Sequence, residues 1–198
     1  VNKGEYKLMG LAAYGLPNDA QTLDFIQKIE EHLIDCRPDG SILLNMDYFK
    51  FASHLQMTDN NLWHQLFGFP RRTEKDALLQ VHANLAYAIQ HVTENIVFKL
   101  VEHAIKHTNE PNLVMAGGVA LNSVLNGKLI DLEAVKNLWI QPAAGDSGGA
   151  LGAALAVWHI QKGSSRQIQI PDSMQGAYLG PEFSERQMRS AASHYETL

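Results

Sequence analysis

Residues 112–130, NLVMAGGVALNSVLNGKLI, and residues 137–155, NLWIQPAAGDSGGALGAAL, decide the fold. In each, a short apolar run meets a cluster of small residues and then a stretch of helical texture. Asn112 to Ala116 reads as a buried strand and Val119 to Ile130 as a helix. Leu138 to Gln141 reads as a second strand, and Ser147 to Gln161 as a helix rich in Gly and Ala. Strand, helix, strand, helix at this spacing predicts an α/β fold with a parallel strand pair. Parallel strands that feed helices place their following turns on one edge of the sheet, where ligands gather. The two small-residue clusters are therefore expected to converge.

The first cluster holds Gly117, Gly118, Val119 and Asn122. A glycine pair lets backbone approach a ligand without a Cβ in the way, and a helix N-terminus offers N–H groups to negative charge. Plain turn chemistry explains the same pair with no ligand. In the second cluster, Asp146 suits either a cap on the next helix or a hard carboxylate ligand to a divalent metal that bridges phosphates. Small neighbours leave space beside it. Residues 145–149 also fit Gly-x-Ser-x-Gly with Ser147 as nucleophile, but only Asp172 and His194 follow in hydrolase order. His103 and His107 have metal-compatible i, i+4 spacing, although no carboxylate is placed beside them and a solvated helix end is the plainer explanation. Cys36 lacks a positioned histidine.

Upstream, GEYKLMGLAAYG at residues 4–15 reads as a helical turn entering a loop that passes close to something. Pro17-Asn18-Asp19 signals a helix start with Asp19 as N-cap, and Leu23, Ile26, Ile29 and Leu33 recur at helical spacing. After Arg37-Pro38-Asp39-Gly40, Ser41 to Asn45 and Tyr48 to Phe51 read as short strands. Thr58 to Arg72 reads as an irregular loop with a short helix. Thr73 to Thr108 reads as one long helix or two in series, and its scarcity of charge between Leu85 and Leu100 implies that other structure covers it. Gly163-Ser164-Ser165 reads as a linker, and residues 180–184 as the start of a new unit.

The chain has 198 residues, 45% of them hydrophobic, which is enough for a sizeable core. Sixteen Lys and Arg against twenty-one Asp and Glu give a net charge of -5 without a basic block, which argues against a nucleic-acid partner. The single cysteine argues for a cytoplasmic location, and the lack of any eighteen-residue apolar run argues against a membrane span. The chain opens inside a motif and stops just after a helical pattern begins, so it is expected to be cut from a longer protein. Exposed apolar surface is then expected, covered by a missing lobe or by a second copy in a homo-oligomer.

Residues 4–15, 116–122 and 141–155 together resemble the carbamoyltransferase family of nodulation-factor and antibiotic biosynthesis. The resemblance runs along the whole chain and is loosest between Leu16 and Lys75. It implies an α/β fold of ASKHA type (actin-like ATPase, ribonuclease H-like), incomplete here. Residues 1–162 would be the rear half of that domain, 163–179 a linker and 180–198 the start of a C-terminal domain. The implied enzyme is an ATP-dependent O-carbamoyltransferase. Carbamoyl phosphate and ATP would form carbamoyl-adenylate in a separate domain, and the carbamoyl group would pass to a hydroxyl of a small-molecule acceptor. The ASKHA site would hold the nucleotide and a divalent metal of iron type. On this resemblance Gly117, Gly118, Val119 and Asn122 contact the nucleotide, Lys7 and Gly15 border it, and Asp146 binds the metal with two histidines from upstream of Val1. The fragment alone would be inactive, its partners being the N-terminal lobe and C-terminal domain of the same polypeptide. A tRNA threonylcarbamoyl transferase-like enzyme and a non-catalytic actin-like nucleotide-binding module are the rival readings.

Overall fold

The computed structural model of the chain describes residues 4–170, 172–193 and 195. Contacts divide it into two units, Val1–Asp146 and Ser147–Leu198.

The first unit is built on one helix, α4 (Gln80–Thr108), with residues 83, 84, 86, 88, 90, 92 and 94 buried as the charge-poor sequence leads one to expect. Helix α1 (Glu5–Ala12) and the loop after it lie on α4. At Gly15 the backbone passes so near α4 that an added Cβ would lie 2.8 Å from the Ala83 carbonyl oxygen and collide with Tyr87. Asn84 fixes this approach by accepting the Leu16 N–H at 3.1 Å.

Helix α2 (Ala20–Lys28) starts where Asp19 caps it, accepting the Gln21 N–H at 3.0 Å, and runs into a π turn at Ile29–Leu33. Strands β1 (Ile34–Cys36) and β2 (Ile42–Leu44) then form an antiparallel hairpin. The sequence pattern assigned Ile34 to Cys36 to the end of the preceding helix. The difference comes from the Arg37–Gly40 turn, where Asp39 Oδ1 accepts the Ser41 N–H and hydroxyl at 3.0 and 2.7 Å and Gly40 takes φ +80°. That turn folds the chain back, giving Ile42–Leu44 a partner in residues 34–36. Tyr48 to Phe51 is not a strand; it contributes one bridge, Phe49 to Thr58.

Helix α3 (Asn60–Phe67) is capped by Asp59 and stopped by Gly68 at φ +82°. Residues 73–79 do not join α4 as expected, because Asp76 accepts the Thr73 N–H and hydroxyl at 2.7 and 2.8 Å and holds a turn there. Phe25, Ile29, Leu33, Phe67, Ala88 and Val92 form one core cluster, with the Phe25 and Phe67 rings edge to face at 5.5 Å. A fully buried Phe or Leu is worth roughly 1.5–3 kcal/mol, so this cluster outweighs any cap.

Strands β3 (Asn112–Met115) and β4 (Asn137–Ile140) pair in parallel, with Leu113 opposite Leu138 and Met115 opposite Ile140. Helix α5 (Ser123–Ile130) connects them. Leu113, Met115 and Leu138 pack on a second cluster of Val101, Leu125, Leu129 and Val135. The opposite face of the pair carries Val114 at 72% and Trp139 at 47% exposure. In the second unit, α6 (Gly148–Ala156) continues into a π turn at Val157–Gln161, and α7 (Glu185–Ala192) is started by a Ser184–Gln187 capping box. No helix among the described residues is long and apolar enough to cross a membrane.

Candidate functional site

The two glycine-rich turns converge. The Gly117 N–H donates to the Ala144 carbonyl at 2.7 Å, joining the turn after β3 to the turn after β4. A Cβ at Gly145 would meet Leu121 at 3.4 Å. This is the geometry that parallel strands impose on the turns that follow them. Gly117 takes φ +104° and ψ 165°, a region essentially reserved to glycine. Gly118 has no positive φ, and no atom lies within 4 Å of where its Cβ would be. Gly117, Gly118 and Val119 are exposed.

The helix expected over Val119 to Ile130 is two pieces. Gly118–Leu121 is a single 3-10 turn, and α5 begins at Ser123. Asn122 breaks the run because it sits in extended backbone, φ -75° and ψ 92°, and its Oδ1 accepts the Leu125 N–H at 3.1 Å. The Gly118 and Val119 N–H groups precede the first 3-10 bond, from Ala120 N–H to Gly117 O at 3.1 Å, and have no partner within the turn. They are two backbone donors on exposed residues and not the end of a long helix dipole.

A polar chain that the sequence reading missed fastens this turn to α4. Asn122 Nδ2 donates to Gln90 Oε1 at 2.8 Å, and Gln90 Nε2 donates to Asn122 Oδ1 at 3.2 Å and to Glu94 Oε1 at 2.8 Å. Lys128 Nζ closes the chain on Glu94 Oε2 at 2.6 Å. Gln90 and Glu94 are 6% and 3% exposed, so each polar atom must find a partner inside the protein. The signal was present as an amide and a carboxylate four residues apart within a charge-poor helical stretch. The Asn122 side chain keeps one N–H for any ligand.

Asp146 ends the first unit, two residues beyond the carbonyl that Gly117 engages, and its side chain is exposed. The cap alternative is not realised: the N-cap residue of α6 is Ser147, with no side-chain cap. Gly15 is in the loop packed on α4. Lys7 stands on α1, its ammonium 5.9 Å from the Tyr6 ring centre. The same helix reaches the glycine turn through Met9, whose sulfur accepts the Ser123 hydroxyl at 3.8 Å.

The remaining candidates assemble no site. Asp172 accepts the Met174 and Gly176 N–H groups at 2.6 and 3.2 Å, folding its own loop, and His194 lies outside the described residues. The His103 and His107 rings stack at 6.1 Å. Among the described residues no three His, Cys, Asp or Glu side chains come together as a metal-binding group. Cys36 lies 3.8 Å from Lys99 Nζ, half-buried beside the β1–β2 turn.

Two joined glycine turns at one strand edge of an α/β unit lie where ligands bind in open α/β sheets. The profile of the carbamoyltransferase N-terminus family matches residues 1–155, and the chain belongs to that family. It is 46% identical over 190 residues to an uncharacterised protein of Synechocystis, covering 96% of this chain and 30% of that protein. It is 35% identical over 178 residues to the nodulation protein NolO of Bradyrhizobium diazoefficiens, covering 90% of this chain and 29% of NolO. It is 33% identical over 178 residues to the nodulation protein NolNO of Sinorhizobium fredii, covering 90% and 23%. The chain thus spans less than a third of the length of these relatives.

Proposed function

We propose that this chain supplies the nucleotide and metal turns of an ATP-dependent O-carbamoyltransferase of ASKHA type. The carbamoyl group would travel from carbamoyl phosphate, through carbamoyl-adenylate, to a hydroxyl of a small-molecule acceptor. The observation that supports the reading is the Gly117 to Ala144 hydrogen bond, which joins the turn carrying the exposed Gly118 and Val119 to the turn that leads to the exposed Asp146. The Gly118 and Val119 N–H groups would bind phosphate oxygens, with no Cβ at Gly118 in the way. Asn122, held by Gln90, offers its remaining N–H to the nucleoside, and Gln90, Glu94 and Lys128 keep the turn from relaxing when the ligand leaves.

Asp146 fits a divalent metal such as iron in one respect: it is a hard oxygen donor on small-residue backbone. The other ligands would have to come from elsewhere in the longer polypeptide. Such a metal supplies Lewis-acid polarisation of the carbamoyl carbonyl. The test is Asp146→Ala in the full-length polypeptide, assayed with ATP, carbamoyl phosphate and candidate hydroxyl acceptors. Transfer to the acceptor and metal content should both be lost while adenylate formation continues. Unchanged iron and unchanged transfer would remove Asp146 from the site, and absence of any carbamoyl transfer by the wild type would favour a non-catalytic module.

A further inference from the structure

We infer that a cavity of about 540 Å³ between α1, α3 and α4 binds an amphipathic anion, a small molecule with an apolar body and one carboxylate or phosphate. The inference does not rest on the nucleotide reading, and it takes Lys7, which the resemblance set beside the nucleotide, as a lining residue of this cavity instead. Its volume falls inside the roughly 300–1,000 Å³ typical of small-molecule sites.

Trp63, Phe67, Phe69, Leu85 and Ile89 supply the apolar wall. Core packing holds that wall in place before any ligand arrives. Trp63 Nε1 donates to the Tyr48 carbonyl at 3.1 Å, its ring lies 5.3 Å from that of Phe67, and Phe67 is 5% exposed. A ligand would therefore order few side chains on entry.

The charged residues that line the cavity are all basic: Lys7, Arg71 and Arg72, with His64 and His82, and no Asp or Glu among the lining residues. Arg72 is committed to its own loop, donating to the Thr73 and Asp76 carbonyls at 3.0 and 2.8 Å. Asp76 stands near it, held ionised below the ordinary carboxylate range by the backbone and hydroxyl of Thr73, with the Arg72 charge adding. That carboxylate offsets Arg72. Among the described residues no ion pair holds Lys7 or Arg71. His82 accepts the Leu79 N–H on Nδ1 at 2.9 Å, so its Nε2 carries the ring proton and remains a donor. Two cations without an ion pair, beside a rigid apolar wall, match a ligand that is apolar at one end and anionic at the other. A purely apolar ligand would make no use of the cations, and a free inorganic anion would make no use of the wall.

The test is calorimetric titration of the full-length polypeptide with phenylbutyrate, phenyl phosphate and, as the uncharged control, phenylbutanol. At least one anion should bind about tenfold tighter than the alcohol, and their order identifies the carboxylate or the phosphate as the preferred head. Lys7→Gln combined with Arg71→Gln changes two exposed side chains and should bring the anions down to the affinity of the alcohol. Leu78→Glu, at a lining residue 58% exposed, should weaken the anions and leave the alcohol nearly unchanged. Equal binding of alcohol and anions, anion binding untouched by either variant, or no binding to the wild type would overturn the inference. Displacement of the anion by AMP would also overturn it, by making the cavity part of the nucleotide site.

Discussion

Gly117 and Gly118 are adjacent, yet replacing each by alanine should have opposite consequences. At Gly117, φ +104° with ψ 165° is closed to a side chain, so Gly117→Ala should cost roughly 1–3 kcal/mol of stability whether or not a ligand binds. Gly118 opens a 3-10 turn without a positive φ and with no atom within 4 Å of the added methyl. Alanine there narrows the unfolded ensemble and should stabilise by about 0.4–1 kcal/mol. The same methyl would stand between the backbone donors and a phosphate. Losing one charge-assisted hydrogen bond costs about 1.5–3 kcal/mol, so ATP affinity should fall by roughly ten- to a hundredfold. Urea unfolding and calorimetric ATP titration of both variants read the two effects separately. If Gly118→Ala binds ATP as the wild type does, the glycine is turn chemistry and the backbone-approach argument fails. If it is instead destabilised, the space beside Gly118 is not open.

Three further outcomes follow from named contacts. Gln90→Leu keeps the volume of a buried side chain but strands the Asn122 amide and Glu94 Oε1, and should cost about 1–3 kcal/mol in urea unfolding and loosen the glycine turn. Gly15→Ala pushes a methyl into Tyr87 and the Ala83 carbonyl and should cost roughly 1–3 kcal/mol, with Gly15→Ser no better. Asp59 is held below the ordinary carboxylate value of 3.8 by the Lys50 ammonium first, then by the Leu62 and Asn61 N–H groups, so it binds its proton less readily folded than unfolded. Its contribution is full above that ordinary value and is lost as pH falls through the lower folded value. Urea midpoints over that range should therefore fall less steeply for Asp59→Asn than for the wild type.

What the sequence disclosed was decided by local chemistry. Asp19 before an amphipathic run is a cap by residue type alone, and β3 and β4 are apolar runs bounded by turns. Their parallel pairing, and with it the meeting of Gly117 with the Ala144 turn, follows from strand and helix order. The misplaced elements depend on contacts that no local pattern carries. Ile34 to Cys36 continues a helical spacing and becomes a strand because residues 42–44 return beside it. Thr73 to Leu79 is helix-compatible, but Asp76 binds the Thr73 backbone first. Asn122 was legible as a polar residue after two glycines, whereas its pairing with Gln90 joins residues 32 apart in sequence. The cavity walls come from α1, α3 and α4 together, so no single stretch announced them.

Helix α4 has 29 residues and is therefore about 43 Å long. Ala88 and Val92 on it belong to one hydrophobic cluster and Val101 to the other. Neither cluster can dissolve while the other persists without baring a face of the same helix to water. The consequence is cooperativity: residues 4–146 should melt in a single step, and the slowest-exchanging amides should be those of α4 between Val92 and Val101, where Glu94 joins the polar chain to the glycine turn.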